Sequence, residues 1–239
     1  MAHQPKKRFG QHFLRDEAAL SQIIELGRLT DTDRVLEIGA GDGTLTRRLL
    51  GAGARVTAIE TGLSDKLEIE GIVPWEDPDG YRDVNPVGKV PALVRDDGPP
   101  LYQSNLVCEY LDSQGTTKIY PVAGPDRWTA LRQIAAADGI LDASVVERME
   151  GMFHEGDAVS TKLIDRQELS VNMALDQLEA EAADLSGPVT IGQVAVACAL
   201  AYRDFRFADV DWRADRPNLT AWFAEFAQRP SMIETDPEA

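Results

Sequence analysis

Cysteine is scarce in this chain. Cys108 and Cys198 are its only two thiols in 239 residues. They stand far apart in no metal-ligand spacing, so no metal site is expected, and they read as buried thiols in a reducing, cytoplasmic setting. A run of about 18 apolar residues is also lacking, which leaves nothing to span a bilayer. The basic N-terminus is without the apolar stretch of a secretory signal, so export is not expected. Positive charge is missing from most of the chain. Residues 61–239 hold fifteen Lys/Arg against thirty-two Asp/Glu, a net −17, whereas residues 1–60 hold nine against eight, a net +1. A surface that acidic repels phosphates and gains nothing from counterion release, which argues against nucleic-acid binding by the larger part. The cluster Lys6-Lys7-Arg8 reads as a solvated basic tip.

What is present begins with a β-loop-α-β pattern. Asp16 to Leu26 has helical character, with Leu20, Ile23 and Ile24 on one side. Arg34–Ile38 reads as a short buried strand followed by Gly39-Ala40-Gly41-Asp42-Gly43. A helix from Thr44 to about Leu50 and a second strand, Arg55–Glu60, complete the unit. Glycines admit close backbone approach, a helix N-terminus offers free N–H groups, and an acid ending the second strand can accept ribose hydroxyls. Glu60 occupies that last place.

Arg8-Phe9-Gly10-Gln11-His12-Phe13-Leu14, with Glu37-Ile38-Gly39-Ala40-Gly41-Asp42-Gly43 after it, resembles the opening of the rRNA adenine dimethyltransferases. The resemblance implies S-adenosylmethionine contacts at His12, Leu14, Gly39 and Glu60, with His12 standing where Asn is more usual. It covers about 60 residues and stops before the family's adenine-gripping Asn-Ile/Leu-Pro-Tyr/Phe motif; neither Asn85-Pro86-Val87-Gly88 nor Pro217-Asn218-Leu219 fits that motif.

The pattern changes at Gly62. Residues Thr61 to Lys66 read as a turn, Leu67–Val73 as a strand, and Pro74 to Asp79 as a loop. A strand Ala92–Arg95, a turn Asp96-Asp97-Gly98 and a returning strand at Leu101-Tyr102 form a hairpin. A helix then starts at Gln103-Ser104, with Ser104 as N-cap, and runs to about Leu111. A proline before a strand leaves backbone groups open to strand-like pairing, and a helix N-terminus favours a carboxylate. The two together suit a small acidic peptide.

Asn85-Pro86-Val87-Gly88-Lys89-Val90-Pro91-Ala92-Leu93, followed by Gln103-Ser104, resembles the glutathione-binding half of the glutathione S-transferases. The resemblance implies a cis Val90–Pro91 bond and main-chain pairing of Val90 with the cysteinyl part of glutathione. It also implies that Gln103 and Ser104 hold the γ-glutamyl group, while Lys89 reaches the peptide's carboxylate. Gln103 replaces a common acid and so removes a charge partner for the glutathione amine. The Ser, Cys or Tyr with which the family activates the thiol has no counterpart, because the methyltransferase-like segment occupies its place. No catalytic residue is therefore assigned; Thr44 is the nearest substitute, and Thr46 reads as a solvated helix residue.

The remainder reads as helical. One helix face carries Leu131, Ile134, Asp138, Leu141 and Val145, with Asp138 in the seam read as a capped or paired structural acid rather than a functional one. A second carries Val171, Leu175, Leu178, Ala182 and Leu185. A third begins at Thr190-Ile191-Gly192-Gln193 with a capping box in which Gln193 returns the reciprocal bond, and its body, Val194 to Tyr202, is central and buried. A fourth uses Leu219, Trp222, Phe223 and Phe226.

The expected architecture has three parts. Residues 1–60 form a Rossmann-type fragment, 61–115 an incomplete thioredoxin-like domain, and 116–239 an all-α glutathione S-transferase C-terminal domain. Arg34–Ile38 is expected to replace the lost central strand, with Val35, Leu36 and Ile38 buried, the Thr44–Leu50 helix packed on the sheet, and Arg55–Glu60 surplus, added at an edge or extending outward. Three functions stay open: a glutathione-dependent transferase, which the resemblance makes a homodimer; an S-adenosylmethionine-dependent RNA methyltransferase; and a non-catalytic binding protein.

Overall fold

The computed structural model describes residues 52–67, 78–154, 156 and 159–235. The strand expected at Arg34–Ile38, the helices expected before it and at Thr44–Leu50, and Leu67–Val73 beyond Leu67 itself lie outside the described residues.

The first described element corrects the sequence reading. Ala52–Glu60, expected to end in a strand, is a helix, α1. Val56, Thr57 and Ile59 are β-branched and disfavour a helix by about 0.5 kcal/mol each. Burial outweighs this. Val56, Thr57 and Ala58 are 0 to 3 % exposed, and a fully buried aliphatic side chain contributes roughly 1.5–3 kcal/mol. The three buried residues are consecutive and so lie on more than one side of the helix, which leaves its sequence without an amphipathic stripe. It ends in a Schellman turn: Leu63 N–H donates to the Ala58 carbonyl at 2.8 Å and Gly62 N–H to that of Ile59 at 3.0 Å. Gly62 has φ +74°, and Leu63 packs in one apolar cluster with Ala58, Val107 and Leu111.

A short helix α2, Tyr81–Val84, precedes the antiparallel pair β1, Ala92–Arg95, and β2, Gly98–Tyr102. Ala92 faces Tyr102 and Leu93 faces Leu101, with an irregularity before Arg95↔Gly98. Helix α3, Ser104–Gln114, follows directly and packs against α1. The hairpin and the helix after it stand where the sequence places them, except that the return strand already begins at Gly98 and α3 continues to Gln114.

The helical half consists of α4, Pro125–Phe153; α5, Thr161–Ala180; α6, Ile191–Arg206; α7, Pro217–Phe226; and the short α8, Pro230–Ile233. Helix α6 is central as expected: Val196, Ala197, Ala199 and Leu200 are fully buried. Val171, Leu175 and Leu178 of α5 and Leu219, Phe223 and Phe226 of α7 also enter the core.

The α4 face differs from expectation. Leu131 and Leu141 are half-buried, and the inner face runs through Ala130, Ile134, Ala137, Ile140 and Ala143. Close approach explains the shift: a Cβ on Gly192 of α6 would meet the Ala130 carbonyl oxygen at 2.8 Å. Small residues therefore mark the contact that a search for large apolar residues passes over. Gln193 also departs from the expected box. Its backbone N–H donates to the Thr190 hydroxyl oxygen at 3.5 Å, but its side-chain amide donates to the Ser186 and Pro188 carbonyls, stitching the preceding loop. No helix among the described residues is long and apolar enough to cross a membrane.

Candidate functional site

The hairpin register builds the site. With Ala92 opposite Tyr102, the residues just before β1 and just after β2 meet at one end of the sheet. Those are Lys89, Val90 and Pro91 on one side and Gln103 and Ser104 on the other. Lys89, Val90, Gln103 and Ser104 are exposed and Pro91 is half-buried. The Val90–Pro91 peptide bond is cis.

One assignment moves by a residue. The N-cap of α3 is Gln103, at φ 79°, and its side-chain oxygen accepts the Leu106 N–H at 3.1 Å. Ser104 is the first helical residue. The Gln103 carbonyl accepts the Val107 N–H at 3.1 Å, so the N–H groups of Ser104 and Asn105 stand at the open end of the helix, where its dipole is positive. The Gln103 amide oxygen keeps a second lone pair, and its NH₂ remains a donor.

Sequence reasoning passed over what shapes the other half of the site. Asn85 is 1 % exposed. Its side-chain oxygen accepts the Val87 N–H at 3.0 Å, and its side-chain amide donates to the Lys89 carbonyl. The Tyr81 hydroxyl donates to the same carbonyl at 2.7 Å. Gly88, immediately before Lys89, has φ +67°, and a Cβ there would press on the Arg82 guanidinium. Burial raises the Tyr81 pKa, against the bond with Asn85.

Beside Ser104, Asn105 donates to Asp138 of α4 at 2.7 Å, and the Tyr120 hydroxyl donates to the Asn105 carbonyl at 3.2 Å. These residues and Glu109 border a cavity of about 270 Å³. Asp138 is thus paired, as expected. Burial pushes its pKa up, Asn105 opposes that, and Asp142 adds to it.

Both cysteines are free. Cys108 is buried and accepts the Thr57 hydroxyl at 3.3 Å; burial raises its pKa. Cys198 is half-buried, and desolvation with the nearby Cys108 pushes it up to about 12. Neither supplies a thiolate at neutral pH.

Glu60 does not end a strand. It closes α1, and its carboxylate accepts two bonds from the Arg229 guanidinium at 2.8 Å each and one from the Ser231 hydroxyl. Burial alone would raise its pKa, but Arg229 and Ser231 hold it below the usual carboxylate value. The premise for ribose binding, an acid at a strand end, is therefore absent. His12, Leu14, Gly39, Thr44 and Thr46 lie outside the described residues.

Comparison with known proteins finds two families in the chain, and their matches overlap at residues 51–64. The family described as glutathione S-transferase, N-terminal domain, matches residues 51–114, and glutathione S-transferase, C-terminal domain, matches 161–225. Ribosomal RNA adenine dimethylase matches residues 2–64. The uncharacterized GST-like protein YibF of Escherichia coli K12 is 30% identical over 186 residues, 76% of this chain and 91% of that protein. Ribosomal RNA small subunit methyltransferase A of Synechococcus sp. WH7803 is 43% identical over 109 residues, but only 39% of its length is covered. Among solved structures, a glutathione transferase family member from Pseudomonas fluorescens Pf-5 with bound glutathione matches at TM-score 0.73 and 39% identity, covering 78% of this chain and 93% of that one.

Proposed function

Since the chain belongs to the glutathione S-transferase family, we propose that it binds glutathione at the end of the β1–β2 hairpin. The observation that carries the reading is the convergence of the exposed Val90 main chain with Gln103 and Ser104 at the start of α3. The γ-glutamyl carboxylate lies at the α3 N-terminus, taking the Ser104 hydroxyl and the open N–H groups, where helix dipole and donors both favour an anion. The cysteinyl backbone pairs with Val90 as a short strand would. Pro91 bounds this segment, and Lys89 supplies a cation for the glycyl carboxylate. Gln103 contributes a neutral amide, so the glutathione amine is held by hydrogen bonding without a fixed counter-charge. The glutathione-bound neighbour from Pseudomonas fluorescens supports this ligand.

The proposal is of binding rather than turnover. A free cysteine thiol has a pKa of about 8.5, so conjugation needs a donor that stabilises the thiolate. In the resemblance that donor belongs to the first strand and the start of the first helix, and here the methyltransferase match, residues 2–64, covers that part of the chain and α1 with it. Retention on glutathione resin with release by free glutathione, without conjugation of a model electrophile, is the expected outcome. Failure to be retained would overturn the reading. The match to residues 2–64 favours S-adenosylmethionine chemistry as the second reading. Against it stand the missing adenine motif and the engagement of Glu60 by Arg229. Labelled methyl groups transferred to ribosomal RNA, and lost in Gly39→Arg, would establish it.

A further inference from the structure

We propose that Tyr81 and Asn85 are positioning residues that aim the Val90 N–H at the ligand by holding the neighbouring Lys89 carbonyl; the inference rests on the glutathione reading above.

A trans peptide unit is planar, and its C=O and N–H point in opposite directions. Whatever fixes the Lys89 carbonyl therefore fixes the Val90 N–H. Two donors converge on that carbonyl, the Tyr81 hydroxyl at 2.7 Å and the Asn85 side-chain amide. Tyr81 is 5 % and Asn85 1 % exposed, so the carbonyl is turned toward the protein. The N–H on the opposite edge then faces outward, at a residue 43 % exposed.

Asn85 is itself locked. Its N–H donates to the Tyr81 carbonyl at 2.8 Å and its carbonyl accepts the Gly88 N–H at 2.9 Å. Its side-chain oxygen is taken by Val87 N–H at 3.0 Å. Residues 81–89 thus close into a loop in which the Lys89–Val90 peptide is clamped from inside. An unclamped peptide would sample both orientations, and only one presents a donor to an extended peptide ligand. The arrangement pre-organises the donor before glutathione arrives, which lowers the ordering cost of binding.

Tyr81→Phe deletes one clamp donor and keeps the ring that fills the site. Glutathione affinity should fall about three- to tenfold, the scale of one hydrogen bond, with the melting temperature of the free protein lowered by no more than about 6 °C. Backbone amide spectra of nitrogen-labelled protein titrated with glutathione separate positioning from general damage. In Tyr81→Phe the ligand-induced shift of the Val90 amide should shrink while that of Ser104 at saturation persists. Asn85→Asp, which sets a carboxylate oxygen against the Lys89 carbonyl, should shrink it further; should that variant not fold, Tyr81→Phe decides alone. Wild-type affinity in Tyr81→Phe, or equal loss at Val90 and Ser104, overturns the inference while the glutathione reading survives. A wild-type protein that shows no shift at either amide with glutathione sinks both.

Discussion

Replacing Glu60 by glutamine tests whether α1 is built into the glutathione transferase-like body. In the structure this side chain joins two segments 169 residues apart through a bidentate Arg229 pair at 2.8 Å and a bond from Ser231. Hydrogen bonds to a charged group contribute about 1.5–3 kcal/mol each. The Glu60 side chain is 10% exposed but that of Arg229 is 37% exposed, so water recovers part of the loss. The sum therefore stays well below three full bonds, at about 2–3 kcal/mol for Glu60→Gln. For a chain of this size that is a drop of roughly 4–12 °C in melting temperature.

The pH dependence has a definite sign. A carboxyl whose folded pKa lies below its unfolded value contributes stability that is present above the unfolded value, about 4.3, and is lost as pH falls through the folded one. The gap between wild type and Glu60→Gln should be full at pH 6–8 and should close on acidification below that value. Thermal unfolding of both proteins across this range measures it, and a cycle with Arg229→Ala isolates the pair. A Glu60→Gln protein within about 0.5 kcal/mol of wild type at pH 7, or no coupling to Arg229, would refute the reasoning, since surface substitutions fall in that range.

Gly192→Ala should cost about 1–3 kcal/mol by overpacking, because the new methyl group meets the Ala130 backbone at 2.8–2.9 Å and the Gln133 side chain; denaturant titration with an unchanged slope would show it, and an unaffected midpoint would contradict the close α4–α6 approach. Alkylation of the native protein at pH 7 should leave Cys108 unmodified until unfolding, since it is buried and burial raises its thiol, and should label the half-buried Cys198 more slowly than a free thiol; rapid labelling of Cys108, read by mass spectrometry, would contradict its placement.

The legible parts of this molecule carry local signals. The hairpin has its turn residues, α3 has its polar start, and α5 and α7 have apolar stripes at helical spacing. The approach of Lys89 to Pro91 to Gln103-Ser104 is therefore legible, although the cap of α3 is Gln103 and Ser104 is its first helical residue. What escaped depends on contacts distant in sequence. Val56, Thr57 and Ile59 favour a strand locally, and only enclosure by α3, α6 and α8 makes them helical. That stretch lies in residues 51–64, which both the methyltransferase and the glutathione S-transferase families match. A β-branched run ending in an acid suits one as a strand and the other as a buried helix, and packing decides between them. The inner face of α4 escaped because it is lined with alanine. The clamp from Tyr81 and Asn85 escaped because its target is a backbone carbonyl, which no residue pattern names.

The central claim, glutathione held at the end of the β1–β2 hairpin, is met most directly by calorimetric titration of wild type and Ser104→Ala with glutathione. The account predicts one site per chain in the wild type and affinity about 5- to 30-fold lower in Ser104→Ala, corresponding to roughly 1–2 kcal/mol for a hydrogen bond to a charged group. No binding by the wild type, or equal affinity in both proteins, would contradict it.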